Sequence, residues 1–410
     1  VPNSTENKAD VSPQAAFEAA IALQGSGDFE GAVRQYEALL RKIPDHPQIL
    51  SMCGLANAEL GNLQDAQEFL ERAVTSAPTY ADAWLNLGKI RQKAGDLPGA
   101  SEAYGRFVDL NPRSPLGHVN LGNVRQLEKR FDDALPAYEQ ALNLAPADPY
   151  IWSNYARAAL YAGNWEQSLQ AANRALSLSS GHTGAMSVKS AALLELGRDE
   201  ELGDLVDFDR FIAVRDLTPP AEYASLEDFN TALCAHCQAH PSLAYEPSEK
   251  TTKKGHQTSN LSKDEDPGPV GQLLELIGAA VCDYQRARPT TATHPFLANP
   301  PERWNYDIWA TILGSQGHQA PHIHRSGWLS GCYYAKIPDV VTADAKDQAG
   351  WIEFGRPQQY PHAKATPKIR SFQPREGMLV LFPSYFYHRT IPFDSQEKRI
   401  SIAFDIVPAE

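Results

Sequence analysis

One fixed period runs through the first half of the chain and constrains the fold more than any other feature. In blocks starting at Pro13, Pro47, Ala81, Pro115, Pro149 and Thr183, the twentieth position is Ala32, Ala66, Ala100, Ala134, Ser168 and Leu202. The fifteenth is Gly27, Gly61, Gly95, Lys129, Gly163 and Gly197, and the thirty-second is Pro44, Pro78, Pro112, Pro146 and then Ser180. No insertion breaks the frame over the first five blocks. Each block reads as two helices. The Gly permits the tight turn between them, the small residue at position 20 lets the second helix pack closely on the first, and the Pro ends the second. Such units stack into a solenoid in which each repeat buries its apolar face against its neighbours.

The pattern resembles the tetratricopeptide repeat, most clearly at Trp84, Leu87, Gly88, Ala100, Tyr104 and Pro112. Five repeats are clear. The sixth, from Thr183, has lost the Ala and the Pro and reads as a capping unit. The array is expected over residues 13–216, preceded by a disordered or extended stretch, 1–12. Its concave face would be lined by first helices, where Asn86, Asn120 and Asn154 recur at the same position of successive blocks. An amide offers both a donor and an acceptor, so this ladder is a candidate site for the backbone of an extended protein or peptide partner.

The formal charge of −13 and the isoelectric point near 5.4 argue against nucleic-acid binding, because no basic face is evident. No run approaches the 18 or so apolar residues of a membrane span. Five scattered cysteines suggest a reducing compartment rather than a disulfide framework, hence a cytoplasmic expectation.

Composition changes after residue 216, where 19 of the 30 prolines and nine of the 12 histidines lie. Phe208 to Leu243 reads as helical, with Leu226, Phe229, Leu233 and Cys237 at helical spacing, so 217–247 is expected to be connecting helices. Ser248 to Pro269 reads as an exposed loop or loosely ordered strand, and Val270 to Tyr284 as an amphipathic helix. From Trp304 onward short apolar runs alternate with Gly and Pro: Ile308–Leu313, Trp328–Ile337, Trp351–Phe354, Met378–Phe382 and Arg399–Val407. That spacing predicts an antiparallel sandwich or barrel over 248–410. The fold class is therefore multidomain α + β, a helical solenoid followed by a β-barrel with flanking helices.

Chemistry concentrates in the barrel. His322 and His324 fall on one face of an extended segment, and His388 follows another strand. Two His at i, i+2 with a third beside an Arg-x-Ser strand suggest a metal site, imidazole being a good ligand for iron, zinc and copper. In the last strand Arg399, Ser401 and Ala403 share a face, a socket for a carboxylate that a guanidinium can grip bidentately.

Here the chain resembles the iron(II)- and 2-oxoglutarate-dependent oxygenases over roughly Ala221 to Pro408. The nearest subgroup has His-x-His followed by a Trp-Leu-Ser-Gly-x-Tyr-Tyr strand, here His322–Ile323–His324 and Trp328 to Tyr334. Pro374, Gly377, the Leu381–Phe382–Pro383–Ser384 turn, His388 and Arg399–Ile400–Ser401 extend the match. The resemblance implies a double-stranded β-helix of the jelly-roll or cupin kind, with Fe(II) and 2-oxoglutarate as cofactors and O2 as co-substrate. It implies His322 and His388 as iron ligands. Arg399, Ser401 and Tyr334 would hold the distal carboxylate of 2-oxoglutarate, with Tyr333 pointing the other way. The usual third ligand is a carboxylate, but position 324 is His. The third ligand is therefore His324, which the spacing favours, or a carboxylate such as Asp307 or Glu353, or water.

Candidate contacts to substrate or to the ligands are His318, Gln319, Trp328, Gln257 and Thr258, the last two in a Gly-x-Gln-Thr element. Cys234–Ala235–His236–Cys237 is a CxxC without a second pair, which argues against zinc or redox work. The expected function is hydroxylation of a protein or peptide recruited by the repeats. The alternatives are a small-molecule oxygenase whose repeats serve oligomerisation, for instance a homodimer, and a non-catalytic adaptor.

Overall fold

The computed structural model describes residues 12–247, 250–291 and 293–409. Most of the expected N-terminal stretch, residues 1–11, lies outside the described residues; Ser12 caps the first helix, its Oγ accepting from the Ala15 amide at 3.2 Å. Paired helices follow the frame of the sequence blocks: α1 Pro13–Gly25, α2 Phe29–Lys42, α3 Pro47–Glu59, α4 Leu63–Ser76, α5 Ala81–Ala94, α6 Leu97–Leu110, α7 Pro115–Leu127, α8 Phe131–Leu144, α9 Pro149–Tyr161, α10 Trp165–Leu178, α11 Thr183–Glu195 and α12 Asp199–Leu205.

The position-20 alanines Ala32, Ala66, Ala100 and Ala134 are wholly buried, as close helix packing requires. The closest approach is at position 8: a Cβ on Gly88 would lie 2.6 Å from the Tyr104 ring, and one on Gly122 2.7 Å from Tyr138. Position 15 is left-handed at Gly27, Gly61, Gly95, Gly163 and Gly197, and Lys129 takes the same conformation at φ 61°. A side chain there costs about 1–2 kcal/mol. Lys129→Gly is therefore expected to stabilise the array by about 1 kcal/mol after the extra entropy of glycine is subtracted. Denaturant unfolding read by helix signal checks this, and a destabilised variant would refute it.

The rest of the chain comprises α13 Phe208–Phe211, β1 Ala213–Asp216, α14 Leu226–Ala239, β2 Ala244–Tyr245, β3 Thr252–Gln257, α15 Pro269–Arg286, α16 Pro295–Ala298, β4 Trp304–Gln319, β5 Leu329–Lys336, β6 Ile352–Phe354, β7 Arg370–Phe372, β8 Met378–Pro383, β9 His388–Thr390 and β10 Arg399–Pro408. They form a seven-stranded sheet in the order β1-β8-β5-β10-β4-β3-β2 and a three-stranded sheet β7-β6-β9, with antiparallel pairing throughout. Phe354 of β6 meets Phe382 of β8 edge-on, ring centroids 4.9 Å apart, so aromatic side chains fill the space between the two sheets. The multidomain α + β architecture, with a double-stranded β-helix after the solenoid, is the one the sequence implies.

Two details differ from the sequence reading, and a third decides between its alternatives. Residues 208–243 are not continuously helical: Ala213–Asp216 pairs with Met378–Leu381 as the edge of the large sheet, so one strand lies before the boundary at 216, and α14 is the one long helix of the expected connector. Residues 252–257 form a strand paired with β4, the second of the two readings given to Ser248 to Pro269. Compact packing divides the chain within α9, at Ala158/Ala159, not at 216. Specific bonds explain why the last repeat helices pack with the sheets. Thr183 Oγ1 donates to the Gly327 carbonyl at 3.0 Å, Tyr385 Oη to Leu205 at 2.6 Å, and Glu195 accepts from Tyr360 Oη at 2.9 Å and from the Lys364 amide at 3.0 Å.

Candidate metal centre

The large sheet presents one continuous polar face inward. Cross-strand register sets Ser401 between Tyr334 and Thr311, Ala403 between Cys332 and Trp309, and Asp405 between Ser330 and Asp307. Period-2 alternation puts these residues on one side of β4, β5 and β10. Tyr333 points to the other side, where its hydroxyl donates to Asn230 Oδ1 at 2.6 Å.

His322 and His388 are joined back to back by an isolated antiparallel bridge, N–H to carbonyl at 3.0 and 3.1 Å. The His324 amide donates to the Ser384 carbonyl at 2.9 Å. Backbone pairing thus fixes all three Cα positions before any side-chain chemistry. The rings gather into one buried group with nitrogens within 4.8 Å of one another.

Their tautomers follow from their partners. His322 Nδ1 lies 2.7 Å from the Ala320 carbonyl and His388 Nδ1 3.0 Å from that of Phe386. A carbonyl only accepts, so both Nδ1 atoms carry the proton and both Nε2 atoms are bare. His324 Nδ1 lies 2.5 Å from Asp405 Oδ1, which by the same logic leaves its Nε2 bare. His322 Nε2 and His324 Nε2 are 3.1 Å apart with no proton between them. Two facing lone pairs repel, and a cation between them removes the repulsion. The donor set therefore fits a metal ion bound by three imidazoles.

Farther along the same face Arg399 is 1% exposed. Its guanidinium stacks 4.9 Å from the Tyr334 ring centroid, and Nη1 donates weakly to Ser401 Oγ at 3.4 Å. Arg399 Nε, Tyr334 Oη and Thr311 Oγ1 are buried without a hydrogen-bond partner of good geometry, although Tyr334 lies near the Cys332 thiol and the guanidinium. Buried orphans of this kind are costly unless a ligand completes them. One guanidinium and three hydroxyls beside one another fit a carboxylate.

Residues 307–405 match the family model described as "Putative 2OG-Fe(II) oxygenase", and residues 17–81, 85–150 and 126–177 match tetratricopeptide-repeat models. These matches set tetratricopeptide repeats over residues 17–177 ahead of a domain of the "Putative 2OG-Fe(II) oxygenase" family over residues 307–405. Among solved structures, one of MamA is 25% identical with a TM-score of 0.38, over 39% of this chain and 93% of its own. One of MamA from Desulfovibrio magneticus is 17% identical (TM-score 0.39; 40% of this chain, 94% of its own). One of YrrB, titled a TPR protein with an unusual peptide-binding site, is 19% identical (TM-score 0.40; 43% and 90%). No curated protein matches.

Outside the repeats, the other sequence candidates separate. Trp328 packs in the core: it stacks on Phe296 at 4.9 Å and its Nε1 donates to the Phe296 carbonyl at 3.0 Å. Thr258 is tied to Ala310 through its amide and its Oγ1, extending the β3–β4 ladder, and so is structural. Gln257 is buried opposite Thr311 on the inward face, its Oε1 accepting from Thr252 Oγ1 at 2.8 Å. His318 and Gln319 end β4 beside Lys253 and Thr252, half-exposed.

Glu353 does not supply a ligand, because both its oxygens are held by Arg389 at 2.7 and 3.0 Å and by Arg356 at 2.7 and 3.3 Å. Asp307 is half-buried and outside the converging group; burial and the facing Asp405 raise its carboxyl above the usual range. The Cys234 and Cys237 thiols are pushed up to about 11 and about 12 by burial, which suits inert packing rather than redox work. Asp405 and Thr311 are the site residues that sequence reasoning missed.

In the repeats, Asn86, Asn120 and Asn154 are half-buried on first helices α5, α7 and α9. Asn86 Nδ2 donates to Ser51 Oγ at 3.3 Å, and Asn154 Oδ1 accepts from Arg157 Nη2 at 3.0 Å. Asn120 Nδ2 is buried without a partner. No described helix is long and apolar enough to cross a membrane.

Burial, and next the neighbouring His324, lower His322 to about 3; burial, then His322 and His324, hold His388 well below the usual range. Both rings are neutral at pH 7, as ligation requires. In the metal-free protein this has a stability consequence. The unfolded chain takes up protons at about pH 6.5, whereas the folded rings do not. Stability is therefore full above that pH and falls as pH drops toward 5, each ring contributing up to about 1.4 kcal/mol per pH unit. His388→Gln is expected to remove about one proton from that dependence; urea unfolding of apo-protein between pH 7 and 5 measures it.

Proposed function

We propose that this chain is an iron(II)- and 2-oxoglutarate-dependent dioxygenase that hydroxylates a protein or peptide recruited by its repeat array. The observation that carries the reading is the presence of two incomplete buried sites: three imidazoles with bare Nε2 atoms, one of them held by Asp405 of β10, and on the same strand an Arg399 guanidinium beside the unpartnered Tyr334 and Thr311 hydroxyls.

His322, His324 and His388 would hold Fe(II), each ring oriented through its Nδ1. Arg399 would take the distal carboxylate of 2-oxoglutarate, helped by Ser401, Tyr334 and Thr311. Burial pushes the Tyr334 phenol well above its usual range, so it remains a neutral donor at any working pH. Held by these residues, Fe(II) and 2-oxoglutarate would supply the oxidising power of O2, with one oxygen going to substrate and the other to the succinate formed with carbon dioxide from the keto acid. The protein contributes orientation and exclusion of water: the three ligand rings and Arg399 are all buried.

The array, read as residues 13–216, would present Asn86, Asn120 and Asn154 to an extended backbone, and the oxygenase domain, read as 248–410, would perform the chemistry. Five free cysteines favour a reducing, cytoplasmic setting. The test incubates full-length protein with Fe(II), 2-oxoglutarate, O2 and a peptide library, and looks by mass spectrometry for peptides heavier by one oxygen. Wild type is expected to modify a sequence-related set. A variant with all three Asn changed to Ala is expected to lose that set while still consuming 2-oxoglutarate slowly. Oxidation of a metabolite at equal rate by both proteins, with no peptide modified, would overturn the recruitment reading.

A further inference from the structure

Asp405 is buried, yet among the described residues no Lys or Arg pairs with it. Its Oδ1 accepts from His324 Nδ1 at 2.5 Å and from Ser330 Oγ at 2.6 Å, and Ser330 Oγ in turn meets Ser384 Oγ at 2.7 Å. The residue across the strand pair, Asp307, carries the same sign of charge. A buried carboxylate without a cation is expensive. The cation it lacks has one evident position, on the far side of the imidazole that Asp405 holds.

We infer that Asp405 acts through His324 as the anionic member of the metal site, replacing the carboxylate ligand of the two-His-one-carboxylate arrangement. Resting on the metal-site reading above, this accounts for the His at position 324. Three neutral imidazoles alone would leave the centre one positive charge higher than two His and a carboxylate. Asp405 restores the balance from one ring farther out, and its hydrogen bond to Nδ1 fixes the His324 ring with Nε2 toward the other two imidazoles. Ser330 and Ser384 fix the orientation of the carboxylate. Asp405 is thus a positioning and charge-balancing residue rather than a ligand.

A purely structural Asp405 makes a different prediction, because the amide in Asp405→Asn would keep an oxygen for both donors. The experiment titrates full-length apo-protein anaerobically with Fe(II) alone against a chromophoric chelator, and with Co(II) to read ligand-field bands. Wild type, Asp405→Asn, His324→Asp and the double variant are compared, each with its apo unfolding curve. Asp405→Asn is expected to weaken metal binding roughly 10–100-fold and to shift the Co(II) bands. In the His324→Asp background the sign is expected to reverse: two carboxylates then face each other, so Asp405→Asn tightens binding. Ser330→Ala, which leaves the charge in place, is expected to have a far smaller effect.

Unchanged affinity in Asp405→Asn, or equal weakening in both backgrounds, would overturn the inference. If Asp405→Asn alone fails to fold, the comparison of His324→Asp with the double variant still decides the sign. A wild type that binds metal but no keto acid would defeat the oxygenase reading while leaving this inference to stand or fall on the metal titrations.

Discussion

His388→Ala protein is expected to bind Fe(II) about 60- to 700-fold more weakly than wild type and to lose 2-oxoglutarate turnover with it. A protein metal site formed by four ligands is worth about 10–16 kcal/mol, so one ligand corresponds to about 2.5–4 kcal/mol. The substitution leaves the fold a means of holding together, because the bridge between positions 322 and 388 is made by backbone atoms that alanine retains. The effect should therefore appear in metal affinity rather than as gross unfolding. His318→Ala, half-exposed at the end of β4, serves as the control and is expected to bind metal as wild type does. Equal affinity of His388→Ala and wild type for Fe(II), by chelator competition, would remove His388 from the centre.

Arg399→Met is expected to produce the complementary phenotype. Methionine fills much of the apolar volume of the side chain but offers no charge and no donors. Losing one partner of a buried charge pair costs about 2–5 kcal/mol, so the dissociation constant and KM for 2-oxoglutarate should rise about 30- to several thousandfold. Fe(II) affinity should hardly change, because along β10 Arg399 is separated by Ser401 and Ala403 from Asp405, the residue that holds His324. Lysine is not expected to rescue the site, since it lacks the planar fork and the stacking surface that Tyr334 receives. Isothermal titration with 2-oxoglutarate in the presence of Fe(II) measures this directly. An Arg399→Met protein that still binds the keto acid tightly would exclude the proposed socket.

The two halves of the chain were legible in sequence for different reasons. The solenoid is a local structure, so a fixed period with Ala at position 20 and Gly at position 15 carries nearly all its information, and even Lys129 adopts the left-handed turn that its neighbours predict. The imidazoles were legible because His322 and His324 sit two apart and His388 begins a strand. Asp405 and Thr311 were not, because each acts through cross-strand register: Asp405 meets Ser330 and Thr311 meets Ser401 only when β4, β5 and β10 are paired. The same dependence explains the errors. Ala213–Asp216 is extended only because β8, from a distant part of the sequence, pairs with it, and tertiary pairing overrides local propensity. Trp328, just before β5, packs its indole on Phe296, the core role that is the commoner one for such a tryptophan. Glu353 looked available as a ligand until its two arginine partners, Arg356 and Arg389, were in place.

The most direct test of the central claim is an anaerobic titration of apo-protein with Fe(II) and 2-oxoglutarate, followed by visible absorption. Wild type should develop the weak charge-transfer band of an iron–keto-acid chelate, saturating at one equivalent of each, with the band weakened in His324→Ala and absent in Arg399→Met at the same keto-acid concentration. No band in wild type, with tight binding of another metal at the three imidazoles instead, would contradict the account.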